Sequence, residues 1–252
     1  MIDLIKMIKY SVLQTLRKYQ ASKIVLLEKS EFISQSKNIK DFQFSFAGNY
    51  LCVDDNTQTT GFDVHYTYHP AWALRKVINE IKPQKHIDIS SAIYFSTSLS
   101  ASIPVEFYDF RPAELKLSNL LCSKADLTNL FFETNSIESL SCMHTVEHVG
   151  LGRYGDEIDP IGDIKAMKEL QRVVAQGKHL LFVVPIGGEN KIHFNAHRVY
   201  KPEFILKQFD LMDLKEFYYI SGDNKDQISA HPSQIDLTKE NYGCGCFWFI
   251  KK

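Results

Sequence analysis

Three groups of residues in this sequence have the types and spacing to do chemistry. The first is a histidine set: His144, Glu147 and His148 fall at intervals of three and four, and His193 and His197 are again four apart. Imidazole takes up and returns protons near neutral pH, so His148, His193 and His197 are candidates for a catalytic base. Imidazole together with carboxylate also suits zinc, iron or manganese, which makes His144, Glu147 and His148 an alternative metal set. The second group is the glycine-rich GLGRYGD at Gly150–Asp156. Its three glycines permit a tight loop from which Arg153, Tyr154 and Asp156 project. A guanidinium fork suits phosphate or carboxylate, and the tyrosine ring can stack on a sugar or adenine face. The structural alternative is a compact loop in which Arg153 and Asp156 pair with each other. The third group is a pair of acids at strand-like ends, Asp88 and Asp109.

These groups need a scaffold, and hydropathy patterning supplies one. Residues 1–20 carry Ile5, Ile8, Val12 and Leu16 at helical spacing, with Lys6, Lys9, Arg17 and Lys18 between them. That is an amphipathic helix, expected to dock on its own domain or to form a homodimer contact. Residues 30–60 are polar and aromatic without periodicity and read as irregular, so residues 1–61 are expected to form an N-terminal extension and residues 62–252 the main domain. Pro70 is expected to open a helix through Ile81, stopped by Pro83. Beyond it, short apolar strands alternate with helices. The strands are expected over residues 86–90, 105–110, 137–144, 178–186, 214–220 and 244–250, and the helices between 90 and 105, over 159–174 and over 202–209. This order predicts an α/β fold: a Rossmann-like, doubly wound, mostly parallel sheet with an antiparallel last strand.

In such a sheet the ligand lies outside the carboxyl ends of the strands, at the point where strand order reverses. The turn Asp88-Ile89-Ser90-Ser91 and the acid Asp109 are therefore the first candidates for holding it. Asp109 stands 19 residues beyond Ser90, the spacing at which an acid bonds ribose hydroxyls. The turn has no glycine, and pyrophosphate binding demands the closest backbone approach, so a dinucleotide is the less suitable ligand. The string HFNAHR follows the fifth strand over the same edge, which adds Asn195 and Arg198 to Arg153, Tyr154 and Asp156 as substrate-binding candidates.

Composition narrows the partners. A net charge of −1 lacks the basic excess of a phosphate-backbone binder and argues against nucleic acid. The longest apolar stretch, residues 179–188, is about half the roughly 20 residues of a membrane helix, so no span is expected. The odd number of cysteines, five and without a CxxC pair, reads as reduced thiols in a cytoplasmic protein. Cys244 and Cys246 share one face of a strand and read as core packing.

The order of segments from Asp88 onward resembles the class I S-adenosylmethionine-dependent methyltransferases. That resemblance implies S-adenosylmethionine as cofactor, held by Asp88, Ser90, Ser91 and Asp109, with Asp126 meeting the adenine amino group. A narrower resemblance rests on GLGRYGD, Gly162-Asp163, HFNAHR, and the upstream FDVHY and HPAWA. These are similar to an uncharacterised domain-of-unknown-function family that is methyltransferase-like and often linked to surface-polysaccharide genes. The segment from Cys142 to Val149 also resembles the stretch that carries metal-binding acids in some quinone-pathway O-methyltransferases, with His144 in place of one acid. The function implied is methyl transfer to a small polar acceptor, a hydroxyl of a sugar or surface-glycan precursor. A non-catalytic descendant that binds a glycan or partner enzyme, and a metal-dependent enzyme built on His144, Glu147 and His148, are the alternatives.

Overall fold

The computed structural model describes residues 2–37, 39–41, 44–48, 52, 54–90 and 92–252. The chain divides into two compact units, Met1–Phe62 and Asp63–Lys252. The first unit carries the helix α1 (Ile2–Ser36). It runs well past the expected end near residue 20 and takes in residues 30–36, which sequence periodicity leaves irregular. No proline or glycine interrupts residues 2–36, so nothing in the chain stops the helix there. Val12, Leu13 and Leu16 on it are more than half exposed.

The second unit opens with α2 (Val64–Arg75), which continues into a π-helical turn, Lys76–Ile81. The expected start at Pro70 is corrected. Asp63 caps the helix by accepting from the Tyr66 backbone N–H at 2.8 Å, and Pro70 lies inside it. A proline there forgoes one helical hydrogen bond. Burial of His65, His69, Trp72 and Ala73, spaced as one helix face, accompanies that loss.

Next come β1 (His86–Ile89), α3 (Ile93–Leu99), β2 (Val105–Asp109), β3 (Leu120–Lys124) and β4 (Ile137–Met143). They are followed by α4 (Gly162–Val173), β5 (Val174–Ile186), β6 (Lys191–His193), β7 (His197–Val199) and α5 (Pro202–Gln208). The chain finishes with β8 (Met212–Ile220), β9 (Gln227–Ser229) and β10 (Gly243–Lys251). The main sheet runs in the order β3-β2-β1-β4-β5-β10-β8-β9, and β6 with β7 forms a separate hairpin. Strands β1 to β5 pair in parallel, while β10 runs antiparallel between β5 and β8. This is the Rossmann-like sheet with an antiparallel last strand. Strands β3, β6, β7 and β9 are additional to those read from hydropathy. They are short and lie at sheet edges or in the hairpin, where half-exposed residues blur the alternation.

Both faces of the sheet are covered. On β5, Leu180, Phe182 and Val184 pack with Met167, Leu170 and Val173 of α4 and Phe209 beyond α5. The alternate residues Leu181 and Val183 pack with Trp72, Val77, Phe95 and Leu99 on the other face. Period-two alternation with both faces apolar explains the unbroken run of this strand. Each such buried side chain contributes roughly 2 kcal/mol. No helix among the described residues is long and apolar enough to cross a membrane.

Candidate functional site

Strand order reverses between β1 and β4, and a cleft of about 720 Å³ opens at their carboxyl ends. Ile89, Tyr108, Asp109 and Arg111 come from the ends of β1 and β2, and Asp126 and Thr128 from the segment after β3. Thr145, His148, Gly150, Tyr154 and Asp156 form the wall beyond β4. Of the residues singled out by sequence, the cleft thus gathers Asp109, Asp126, His148, Tyr154 and Asp156.

The two acids are fixed by their own turns. Asp109 Oδ1 accepts from the Arg111 N–H at 2.7 Å. Asp126 Oδ1 accepts from the Thr128 N–H at 2.8 Å and its hydroxyl at 2.7 Å. Each keeps a second carboxylate oxygen beside these bonds, so both remain able to accept from a ligand.

GLGRYGD forms the opposite wall. Gly150, Gly152 and Gly155 all adopt positive φ. At Gly150 an added Cβ would meet the Asp159 carbonyl oxygen at 2.1 Å, so only glycine fits. Asp156 draws the loop together by accepting from the N–H groups of Gly150 at 2.7 Å, Tyr154 at 3.2 Å and Gly152 at 3.3 Å. Partial burial works against ionisation, but these backbone donors hold its carboxyl below the ordinary carboxylate value. Asp156 therefore pairs with backbone, not with Arg153. Tyr154 meets the His148 ring edge-on at 5.5 Å and carries the Arg111 guanidinium over its face at 4.4 Å. Arg153 lies over the same ring at 5.0 Å and donates to the Ala196 carbonyl at 3.1 Å.

His148 Nδ1 lies 2.6 Å from that same Ala196 carbonyl oxygen. A carbonyl only accepts, so Nδ1 carries the proton and Nε2 keeps its lone pair. Nε2 is 3.9 Å from Glu147 Oε1.

The remaining sequence candidates lie elsewhere. Asp88 is fully buried beneath the cleft floor, accepting from Ser141 and Ser96 at 2.5 Å each. Ser90 is buried too, and its hydroxyl donates to the Met143 carbonyl while accepting from the Met143 N–H. Ser91 lies outside the described residues. Asn195 sits at the β6–β7 hairpin tip with φ +58°, and His193 beside it is exposed. His197 packs half-buried between His193 and Tyr242. Arg198 is a buried clamp, donating to the Val149 carbonyl at 2.7 Å, with its Nε 3.5 Å from Asp163. None of the described residues in this group lines the cleft.

Sequence spacing also suggested His144, Glu147 and His148 as a set of metal ligands. Here they form a chain through Glu147 Oε1, which is 2.8 Å from His144 Nδ1 and 3.9 Å from His148 Nε2. His144 turns its other nitrogen toward Cys244, at 3.6 Å from Sγ. Around it stand His65 and His69, both buried. Burial, with the neighbouring His144, lowers His65 to about 4, and burial holds His69 well below the ordinary histidine value. Burial opposes protonation of His144 as well, but contacts with Cys244 and Glu147 outweigh it and bring this ring to about 10. Burial pushes the Cys244 thiol well up. Sequence reading did not bring His65, His69 and Cys244 together. Their signal was the four-residue histidine spacing on α2, which matters only once β10 brings Cys244 to it.

Comparison with known proteins agrees with this architecture. Residues 116–240 match the model of a family described as Caenorhabditis protein of unknown function, DUF268. The match contains GLGRYGD and HFNAHR and begins downstream of FDVHY and HPAWA. No curated protein matches the chain. Among solved structures, the YcgJ protein of Bacillus subtilis superposes with a TM-score of 0.51 at 12% identity, covering 74% of this chain and 99% of that one. A chain of the complex between the Haloferax volcanii Trm112 methyltransferase activator and its assigned methyltransferase gives 0.51 at 13% identity, over 75% and 90% of the two chains. A protein of Galdieria sulphuraria assigned as a sarcosine dimethylglycine methyltransferase gives 0.50 at 11% identity, over 73% and 85%. The sheet order and these likenesses together establish a Rossmann-like fold.

Proposed function

We propose that this protein is an S-adenosylmethionine-dependent methyltransferase acting on a hydroxyl of a small polar molecule, of the sugar or surface-glycan-precursor class. The observation that carries the reading is the pairing of Asp109 and Asp126 on one wall of the switch-point cleft with His148 on the facing wall. The cleft suits the adenosyl half of the cofactor. Asp109 would accept from the ribose hydroxyls and Asp126 from the adenine amino group, with Ile89, Tyr108 and Leu127 supplying apolar contact. When bound, the cofactor supplies a sulfonium methyl group to an in-line nucleophile.

The chain's own residues then do the positioning and proton work. Tyr154 holds the Arg111 and Arg153 guanidinium groups against its ring, which supplies charge for an anionic substituent. His148 Nε2 takes the proton of the acceptor hydroxyl as its oxygen attacks, and Glu147 stabilises the imidazolium that results. The Ala196 carbonyl keeps the ring in the tautomer that this requires. The buried, engaged Ser90 favours a second reading, a fold descendant that binds a small ligand without transferring methyl groups.

Titration calorimetry with S-adenosylmethionine and S-adenosylhomocysteine separates the two. Binding that weakens at least about tenfold in Asp109→Ala supports the transferase. Absence of heat from folded protein with either ligand removes it and leaves the binding protein.

A further inference from the structure

Outside the cleft, the described residues hold one cluster of donor atoms that no step above uses. His65 and His69 stand one turn apart on the buried face of α2. His144 follows β4, and Cys244 and Cys246 alternate on β10 with both thiols buried. One donor atom each of His65, His144 and Cys244 lies within 4.8 Å of the other two. We propose that His65, His144 and Cys244 bind a divalent transition metal, zinc foremost, with His69 as the fourth ligand.

Distance is the first argument. A tetrahedral zinc, at about 2.0 Å from an imidazole nitrogen and about 2.3 Å from a thiolate, sets those two atoms about 3.5 Å apart. His144 Nε2 and Cys244 Sγ are 3.6 Å apart.

The outer contacts of the rings are the second. A metal-bound imidazole is oriented by an acceptor on its other nitrogen. His144 Nδ1 is 2.8 Å from the Glu147 carboxylate, and His69 Nδ1 is 2.6 Å from the His65 carbonyl. His65 is hydrogen-bonded to the Tyr242 backbone. Each ring thereby has one nitrogen engaged by an acceptor and the other left to face the cluster.

The third argument is an unsatisfied atom. His69 is fully buried, and its Nε2 has no hydrogen-bond partner. The ring stands 4.9 Å from that of His144, centroid to centroid. Buried polar atoms without partners are rare and costly, and a metal ion removes this one. His144 also holds φ at +52°, a conformation that persists in a non-glycine residue where its surroundings demand it.

Nitrogen with thiolate sulfur selects zinc over magnesium or calcium. Binding displaces the Cys244 thiol proton and the Nε2 proton of His144 to solvent, with no change of oxidation state. The ion would tie α2 to the ends of β4 and β10. It would also fix Glu147, through His144, beside His148.

The test uses the full chain purified without chelator. Elemental analysis is expected to find one zinc per chain. Protein stripped of metal and reloaded with cobalt(II) is expected to show a thiolate-to-cobalt charge-transfer band with tetrahedral d–d absorption. Cys244→Ser should abolish the charge-transfer band while circular dichroism remains native. His65→Asn should weaken zinc binding at least tenfold in competition with a chromophoric chelator. Cys246→Ser and Cys52→Ser should leave both properties intact. Wild-type protein that takes up neither metal overturns the site, as does a band that survives Cys244→Ser. Loss of the band in Cys246→Ser as complete as in Cys244→Ser overturns the place given to His69. None of these readouts depends on methyl transfer, so the site stands or falls apart from the proposed activity.

Discussion

His148 and Ala196 are 48 residues apart in sequence, yet the imidazole Nδ1 and the carbonyl oxygen meet at 2.6 Å. The contact joins the turn after β4 to the tip of the β6–β7 hairpin, and it decides which ring nitrogen carries the proton. His148→Ala is expected to lower methyl transfer by about 10²–10⁴-fold while changing cofactor affinity less than about threefold. Turnover with labelled cofactor, set against calorimetry, checks the pair of values. A variant that loses binding and turnover equally would assign His148 to holding the cofactor instead.

Arg153 shares that carbonyl at 3.1 Å and lies against Tyr154. Arg153→Ala removes one donor and leaves His148 in place, so its expected effect is smaller. The KM for an anionic acceptor should rise about tenfold with little change in kcat. A kcat loss as large as that of His148→Ala would show that Arg153 positions the base as well.

The loop itself gives a stability contrast. Gly150 and Gly155 have φ of +78° and +83°, but an added Cβ meets the Asp159 carbonyl at 2.1 Å in the first and nothing within 4 Å in the second. Both alanine variants carry backbone strain of about 1 kcal/mol. Gly150→Ala adds a clash with backbone, for a total of roughly 3 kcal/mol or more. Urea midpoints of the two variants measure the difference, and equal midpoints would mean that the loop shifts freely around Gly150.

Local features carried the sequence reading furthest. The run ending in Pro185 and Ile186 announced β5 because both its faces are buried. Asp109 was readable because a strand end and a fixed spacing place it without any tertiary knowledge. Features that depend on distant partners were not readable. Pro70 looks like a helix start until the Asp63 cap and the buried face of α2 are seen together. Arg198 looks like a substrate ligand until Asp163 of α4 and the Val149 carbonyl enclose it. His65 and Cys244 meet only through the register that sets Cys244 opposite Pro185 on β5.

A buried pair beneath the cleft predicts an unusual pH signature. His86 Nε2 is 2.9 Å from Ser141 Oγ, which donates to Asp88 Oδ1. Burial raises Asp88 to about 7, against the pull of its serine donors, and burial lowers His86 to about 3. The folded protein therefore keeps a proton on Asp88 that the unfolded chain releases near 3.8, so this contribution is full below that value and lost as pH rises through 7. His86 works oppositely. The unfolded ring takes a proton near 6.5, so its contribution is present above that value and lost as pH falls toward 3. Between about pH 4 and 6.5 the two slopes cancel, each being at most about 1.4 kcal/mol per pH unit. Asp88→Asn should cost most stability near pH 4 and progressively less toward pH 7, while His86→Gln should cost most near pH 7 and less as pH falls. Denaturant unfolding of wild type and both variants across that range supplies the curves. Parallel slopes for the two variants would mean that the pair is held as a charged Asp88–His86 couple instead of a neutral one.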